Sequence, residues 1–223
     1  MIQAETLEFL KDLKENNNKP WFDANRKTYE TARQNFIQVI EQLIKGIGQF
    51  DKAIEESRLQ PKDCIFRINR DVRFSKDKSP YKTNFGAWFN AGGKKASGAG
   101  YYLHIDANEC FFAGGIWMPE TEDLKKIREE IDYNYEEIKA ILAAESFRTY
   151  FPNGLDKDAS TTRPPKGYDD ANPAIELLKL KSFTVSHSFD VAQALTPTFV
   201  DTILKGFEAM HPYVVFLNRA IKG

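Results

Sequence analysis

Cysteine, histidine and long apolar runs are all scarce in this chain of 223 residues. The two cysteines, Cys64 and Cys110, lie far apart and lack the CxxC spacing of zinc and redox sites, so we expect two buried free thiols. The three histidines share no metal-ligand spacing with each other or with the cysteines, and we therefore predict no metal site. The sequence points to no particular cofactor.

Apolar segments are short as well. No apolar run approaches the ~20 residues of a membrane-spanning helix, and the charged, amphipathic N-terminus lacks the apolar segment of a signal peptide. We therefore expect a cytoplasmic protein with no membrane partner. The sequence does not specify an oligomeric state.

The chain also lacks an overall basic charge, because 31 Lys and Arg residues face 32 Asp and Glu residues and the net charge is −1. A dedicated duplex-DNA binder usually carries a basic excess across its domain, so a nucleic-acid partner would have to bind a local patch. The motifs HExxH, GxSxG, GxGxxG and the P-loop are missing. Their absence excludes several common enzyme classes and leaves open whether the protein is an enzyme.

The patterns that are present predict an α+β fold in one domain that spans residues 1–223. Alternating apolar residues and short connecting loops predict an antiparallel or mixed sheet, with a meander around residues 84–117. Helical spacing predicts N-terminal, central and C-terminal helices that pack against the sheet. We predict helices at about 7–15, 20–48, 52–57, 120–144, 173–179 and 196–220, with a kink or break at Pro212. We predict strands at 64–68, 84–89, 100–106, 110–117 and 182–187.

One segment concentrates positive charge. Residues 67–82 hold six basic residues and two acids, Asp71 and Asp77, which leaves an excess of four positive charges. Like charges repel, so a fold keeps them together only with a partner or with full solvation. Arginine and lysine side chains suit phosphate oxygens, and the two acids could orient these cations. Because surface ion pairs each contribute only ~0–1 kcal/mol, stability alone is a poor reason to concentrate so many charges.

We expect these cations, a second basic segment at 163–167 and several aromatic residues to line one cleft. Prolines stiffen the second segment and so present its cations at a low entropic cost. The expected ligand-binding residues are Arg67, Arg70, Arg73, Lys78, Tyr81, Lys82, Tyr102, Trp117, Arg163 and Lys166. The alternative is an internal network of ion pairs, in which the arginines pair with acids of the helix at 122–145.

The strands at 100–106 and 110–117 carry the other candidate residues. Alternation places Tyr102 and His104 on one face of their strand. His104 and Asp71 are candidates for a general acid or base, although a lone histidine on a strand is more often structural. Gly114 and Gly115 allow a close backbone approach, either to a ligand or to another element of the fold.

Together these observations favour the binding of a phosphate-bearing anion, either a nucleotide-like metabolite or a nucleic acid. Two alternatives remain open. The protein could be a hydrolase of a phosphorylated substrate with His104 as the acid or base, or a structural or protein-interaction domain whose cations are paired internally.

Five blocks of the sequence resemble the bacterial and fungal proteins grouped as domain of unknown function 2461. The blocks are FLKDLKENNNKPWFDANR at 9–26, FRINRDVRFSKDKSPYKT at 66–83, GYYLHI at 100–105, FAGGIWMP at 112–119 and RPPKGYD at 163–169. They are long and span most of the chain. The resemblance implies a soluble α+β domain, and it brings no activity, substrate or cofactor with it.

Overall fold

The structure is a computed structural model, and it describes residues 1–222. Its helices are α1 (Ala4–Glu15), α2 (Lys19–Ala24), α3 (Arg26–Ile47), α4 (Lys52–Ser57), α5 (Pro61–Cys64), α6 (Thr121–Tyr133), α7 (Tyr135–Ala143), α8 (Glu145–Tyr150), α9 (Ile175–Leu178), α10 (Val191–Ala194) and α11 (Phe199–Lys222). Its strands are β1 (Asn84–Phe89), β2 (Gly100–Asp106), β3 (Cys110–Ile116) and β4 (Phe183–Phe189). None of the helices in this part of the chain is long and apolar enough to cross a membrane.

The predicted α+β fold is confirmed. The four strands form one antiparallel sheet in the order β1-β2-β3-β4, so that strands adjacent in the chain are also neighbours in the sheet. One face of the sheet is buried and includes Phe85, Leu103 and Phe112. The opposite face carries half-buried side chains, among them Tyr102 and His104. This difference matches the alternation that the sequence shows.

Two of the predicted helices are each divided into two in the structure, and a third is continuous where a kink or break was predicted. The helix predicted at 20–48 is two helices that meet at Asn25, and the one predicted at 120–144 is two helices that meet at Asn134. Asparagine suits such junctions because its side chain can bond to nearby backbone, as Asn25 does to the carbonyl of Trp21. The C-terminal helix, in contrast, continues through Pro212.

The Cα positions group into two compact units. Unit 1 comprises residues 1–94, 102–112 and 188–205, and unit 2 comprises residues 95–101, 113–187 and those from 206 onward. The chain passes between the units several times. The expectation of a single domain stays a prediction.

An aromatic cluster forms the core of unit 1. Phe9 of α1 is 2% exposed, and its ring lies 5.8–6.5 Å from the rings of Trp21, Phe22, Tyr29 and Phe85. These contacts join α1, α2 and α3 to strand β1. Burial of large aromatic side chains contributes most of the apolar stabilisation in such a core.

The core of unit 2 lies around α11 and the short helix α8. Phe207 of α11 lies 5.1 Å from Tyr101, and Phe147 of α8 lies 6.1 Å from Tyr213. At the surface, Arg219 donates hydrogen bonds to Glu130 and Glu137, which raises the pKa of the arginine above its ordinary value. This ion-pair group ties α11 to α6 and α7.

Candidate functional site

The basic segment at 67–82 belongs to a hairpin at the edge of the sheet in unit 1. Ile65 bridges Ala87, Asn69 bridges Tyr81, and the amide of Lys82 donates to the carbonyl of Ile68. Residues 65–69 therefore run antiparallel to residues 81–87, and the irregular residues 70–80 close the hairpin. We call residues 70–80 the basic loop. The strand predicted at 64–68 is wrong, because Cys64 ends helix α5 and Ile65 and Asn69 form only isolated bridges.

Two arginines of the basic loop have carboxylate partners within the loop itself. Arg73 forms two hydrogen bonds with the carboxylate of Asp71, at 2.9 and 2.6 Å. Arg70 pairs with Asp77, whose other carboxylate oxygen accepts from the amide and the hydroxyl of Ser79. These contacts hold the pKa values of both acids below their usual range. The internal ion pairs considered from the sequence therefore exist for these arginines, but their acids belong to the loop and not to the helix at 122–145.

Arg67 and Lys82, in contrast, pair with no carboxylate among residues 1–222. Arg67 is exposed, and Lys82 is half-buried with its ammonium nitrogen 5.1 Å from the centre of the Phe66 ring. Burial lowers the pKa of Lys82, and the positive charge of Arg67 lowers it further. We call Arg67 and Lys82 the cation pair. Arg67 lies close enough to Asp71 to lower the pKa of that acid, but Arg73 holds the Asp71 carboxylate. The two cations repel each other and neither forms an ion pair, so a bound anion would relieve the repulsion.

Four rings form a continuous surface beside the cation pair. Phe66 lies 6.3 Å from Tyr102, His104 lies 6.0 Å from Tyr102, and the rings of His104 and Phe111 stack at 4.6 Å. All four side chains are half-buried. We call Phe66, Tyr102, His104 and Phe111 the aromatic face. Strand alternation places Tyr102 and His104 on one side of β2, as predicted, and Phe111 joins them from β3.

Hydrogen bonds fix the ring of His104 on this face. Its Nδ1 atom lies 3.1 Å from the Tyr102 hydroxyl and 3.4 Å from the side-chain amide nitrogen of Asn84. An amide NH₂ group can only donate, so Nδ1 is the acceptor and the proton of the neutral ring sits on Nε2. Burial lowers the pKa of His104, while Asp106 and Glu109 partly oppose that effect. At neutral pH the ring is therefore a hydrogen-bond donor through Nε2 and not a free base.

Tyr102 is held between strands. A Cβ atom placed on Gly86 would lie 2.7 Å from the Tyr102 hydroxyl oxygen, so the phenol ring lies directly over strand β1. Burial raises the pKa of Tyr102 to about 12, and the hydroxyl keeps its proton for the bond to His104. The glycine thus leaves space for the ring that orients the histidine.

The remaining predicted site residues belong to neither the cation pair nor the aromatic face. Tyr81 is 6% exposed and stacks on Phe22 at 4.0 Å, so it belongs to the core of unit 1 and does not form a wall of a cleft. Lys78 is exposed and donates to the carbonyl of Val72. In unit 2, Trp117 is 67% exposed, and Arg163 and Lys166 are exposed in an irregular segment. Within unit 1 the structure brings together Arg67, Lys82 and Tyr102 from the predicted set, through Phe66.

Sequence reasoning missed Phe66, Phe111 and Asn84 as members of this site. Alternation on the neighbouring strands could have found the last two, because Asn84 and Phe111 fall on the face of the sheet that carries His104. The two cysteines are buried free thiols, as predicted. Residues 1–222 contain no cluster of three or more His, Cys, Asp or Glu side chains that could hold a metal ion.

The burial of His104 leads to a testable pH dependence. Its pKa lies below the ordinary value of 6.5, so the unfolded chain binds a proton more readily than the folded chain. Stability is therefore fully present above pH 6.5 and falls as the pH drops towards the lowered pKa of the folded state. We expect His104→Gln to lose less stability than the wild type between pH 7.5 and pH 5.5, as measured by urea unfolding.

The difference between the two proteins isolates His104 because the paired carboxylates titrate equally in both. Equal pH slopes for the two proteins would show that the folded state does not depress the pKa of His104.

Comparison with known proteins gives a family and no further relatives. No curated protein and no solved structure matches the chain. A family model described as "Conserved hypothetical protein (DUF2461)" matches residues 5–216, which include most of both units and all of the blocks that resemble the family. The chain therefore belongs to the DUF2461 family.

Proposed function

We propose that unit 1 binds a phosphate-bearing ligand, with the phosphate at the cation pair and a planar ring on the aromatic face. The observation that carries this proposal is Lys82. Its ammonium group is half-buried beside Arg67 and has no carboxylate partner in the described chain. A desolvated cation next to a second cation is unfavourable. A bound anion would offset both the desolvation of Lys82 and its repulsion from Arg67.

Phosphate fits the cation pair better than a single carboxylate does. It carries more charge and more acceptor oxygens, and the planar fork of Arg67 can bond two of those oxygens while Lys82 supplies a point charge. The neighbouring Phe66 and Tyr102 rings offer surfaces for stacking. The Nε2–H group of His104 adds a donor for a ring nitrogen or carbonyl. A nucleotide-like molecule has all of these complementary parts.

The two proposed catalytic candidates are poorly placed for proton transfer. Both oxygens of Asp71 accept hydrogen bonds from Arg73, and its lowered pKa keeps it ionised. The Nδ1 lone pair of His104 already accepts hydrogen bonds, and Nε2 carries the proton. Asp71 is a weak base held by Arg73, and the acceptor nitrogen of His104 is occupied, so neither group is well suited to act as a general base at neutral pH. Binding is therefore better supported than hydrolysis.

We also propose a cytoplasmic location. Cys64 and Cys110 are buried and unpaired, and burial raises the pKa values of their thiols to about 12 and about 11. Unpaired cysteines are typical of compartments that keep thiols reduced.

Charge removal at the cation pair tests the binding proposal. We expect Lys82→Met and Arg67→Ala each to weaken nucleotide binding by about tenfold or more, because hydrogen bonds to charged groups contribute about 1.5–3 kcal/mol. Isothermal titration calorimetry with nucleoside mono-, di- and triphosphates measures the change. Methionine keeps a side chain of similar length while it removes the charge.

Stability separates this proposal from a structural role of the same residues. If Lys82 serves a ligand, Lys82→Met leaves the free energy of unfolding unchanged or raises it, because a desolvated charge is gone. Lys27→Ala, an exposed lysine on α3, is the control that should alter neither property. Unchanged nucleotide affinity in both cation-pair variants, or a loss of stability in Lys82→Met, would contradict the proposal.

A further inference from the structure

The basic loop presents one large apolar side chain almost entirely to solvent. Phe74 is 97% exposed, whereas most of the phenylalanines of the chain are buried. Exposure of a whole aromatic ring is unfavourable in water, and such rings are enriched where proteins bind partners. Phe74 therefore needs an explanation that packing within unit 1 does not supply.

The loop holds Phe74 outward by a set of fixed contacts. Two ion pairs order the loop near Phe74. Arg70 with Asp77 closes the span of chain that contains the ring, and Arg73 with Asp71 lies just before it in the chain. The ammonium group of Lys78 donates to the carbonyl of Val72 at 2.9 Å and so closes the tip of the loop. These contacts order the backbone around Phe74, so the loop itself needs little ordering when a partner binds.

The basic loop carries a net positive charge near the ring in the chain, since its four cations outnumber Asp71 and Asp77. The Arg73 guanidinium lies 5.9 Å from the centre of the Phe74 ring, and Lys76 and Lys78 are exposed on its C-terminal side. Lys76 has no carboxylate partner in the described part of the chain. An aromatic ring among cations is complementary to a partner that joins flat rings to anionic groups.

The loop and the aromatic face belong to one hairpin. Residues 65–69 and 81–87 are the paired segments from which the loop extends, and they carry Phe66, Arg67 and Lys82. The order along this edge is therefore the aromatic face, the cation pair, the cations of the loop and then a second ring surface at Phe74. A mononucleotide needs one ring surface and one phosphate site, so this arrangement suits a longer ligand.

We infer that the basic loop extends the proposed binding face into a site for single-stranded nucleic acid, in which Phe74 stacks on one base and the aromatic face on another. This inference rests on the proposed function. Stacking on protein aromatics requires bases whose faces are open, which a single strand has and an intact duplex does not. A flat bilayer would engage Phe74 but not the half-buried aromatic face, so the observations favour the strand.

Fluorescence anisotropy with labelled 12-residue oligo-dT and oligo-rU tests the inference on the full chain. We expect these oligonucleotides to bind more tightly than a mononucleotide, with an affinity that falls steeply as salt increases. Phe74→Ala should weaken oligonucleotide binding by about tenfold, and Phe74→Trp should restore it, because stacking needs only an aromatic ring. Lys76→Gln should reduce the salt dependence by about one phosphate contact.

Mononucleotide titration and a vesicle assay separate the possible failures. If mononucleotides bind through Arg67 and Lys82 but the oligonucleotides bind no tighter, or if Phe74→Ala has no effect, the inference is wrong and the proposed function stands. If neither ligand binds, both are wrong. Equal affinity for a duplex of the same length would also overturn the inference. So would Phe74-dependent sedimentation with phosphatidylserine vesicles by a protein that ignores the oligonucleotides.

Discussion

Gly115→Ala is expected to destabilise the protein by at least about 4 kcal/mol, or to prevent folding altogether. Gly115 lies in strand β3 with a φ angle of +108°, a conformation that side chains rarely adopt. A Cβ atom at this position would lie 1.9 Å from the carbonyl oxygen of Phe183 in β4. The obstacle is backbone, so a side-chain rotation cannot remove it. The close approach foreseen at Gly115 is thus made to strand β4, whereas the nearest atom to a Cβ on Gly114 is the sulfur of Met210 in α11.

Gly154→Ala is the matched control for Gly115→Ala. Gly154 also has a positive φ, of +69°, but nothing lies within 4 Å of the added methyl group. It therefore isolates the conformational cost, which is about 1–2 kcal/mol for a left-handed residue. Urea unfolding monitored by circular dichroism measures both variants. Similar losses for the two alanines would mean that the contact with Phe183 contributes nothing.

Phe9→Ala is expected to cost about 3–5 kcal/mol of unfolding free energy. The ring is 2% exposed and contacts four other aromatic residues from three elements of unit 1. Its removal leaves a cavity that rigid neighbouring rings fill poorly, and it also removes the favourable ring–ring contacts. Chemical denaturation with tryptophan fluorescence reports the change, since Trp21 lies 6.1 Å from Phe9.

Phe74→Ala makes the same chemical change at a position that is 97% exposed. It should leave the free energy of unfolding within about 0.5 kcal/mol of the wild type. The pair of variants thus separates burial from residue type, and it shows that the binding assays on Phe74→Ala use a folded protein. A stability loss at Phe74 near that at Phe9 would mean that the loop ring packs against the chain.

Secondary structure followed from the sequence where one pattern dominates. The apolar spacing of α1 and α3 and the alternation in β2 are strong, local signals, and the structure contains these elements. The junctions at Asn25 and Asn134 escaped notice because apolar spacing continues across them, while the break is made by backbone geometry. Pro212 lies within a helix because packing of the long C-terminal helix outweighs the lost hydrogen bond.

The site was predictable in its charge and not in its pairing. Six cations within 67–82 are visible in the sequence, but which of them keep a free charge depends on side-chain geometry. Arg70 and Arg73 form ion pairs with acids only a few residues away, whereas Arg67 and Lys82 form none within residues 1–222. Phe74 and Tyr81 show the same difficulty for aromatics. One is exposed and the other buried, and their local sequences do not distinguish them.

Asn17 mimics a strand residue opposite Tyr81. Its side-chain amide donates to the Tyr81 carbonyl at 2.9 Å, and its side-chain oxygen accepts from the Tyr81 amide at 3.0 Å. The protection of the Tyr81 amide proton from exchange with solvent deuterium is thereby governed by the turn between α1 and α2, 64 residues earlier in the chain. Hydrogen exchange at the Tyr81 amide, next to Lys82, should therefore speed up whenever the N-terminal helices loosen.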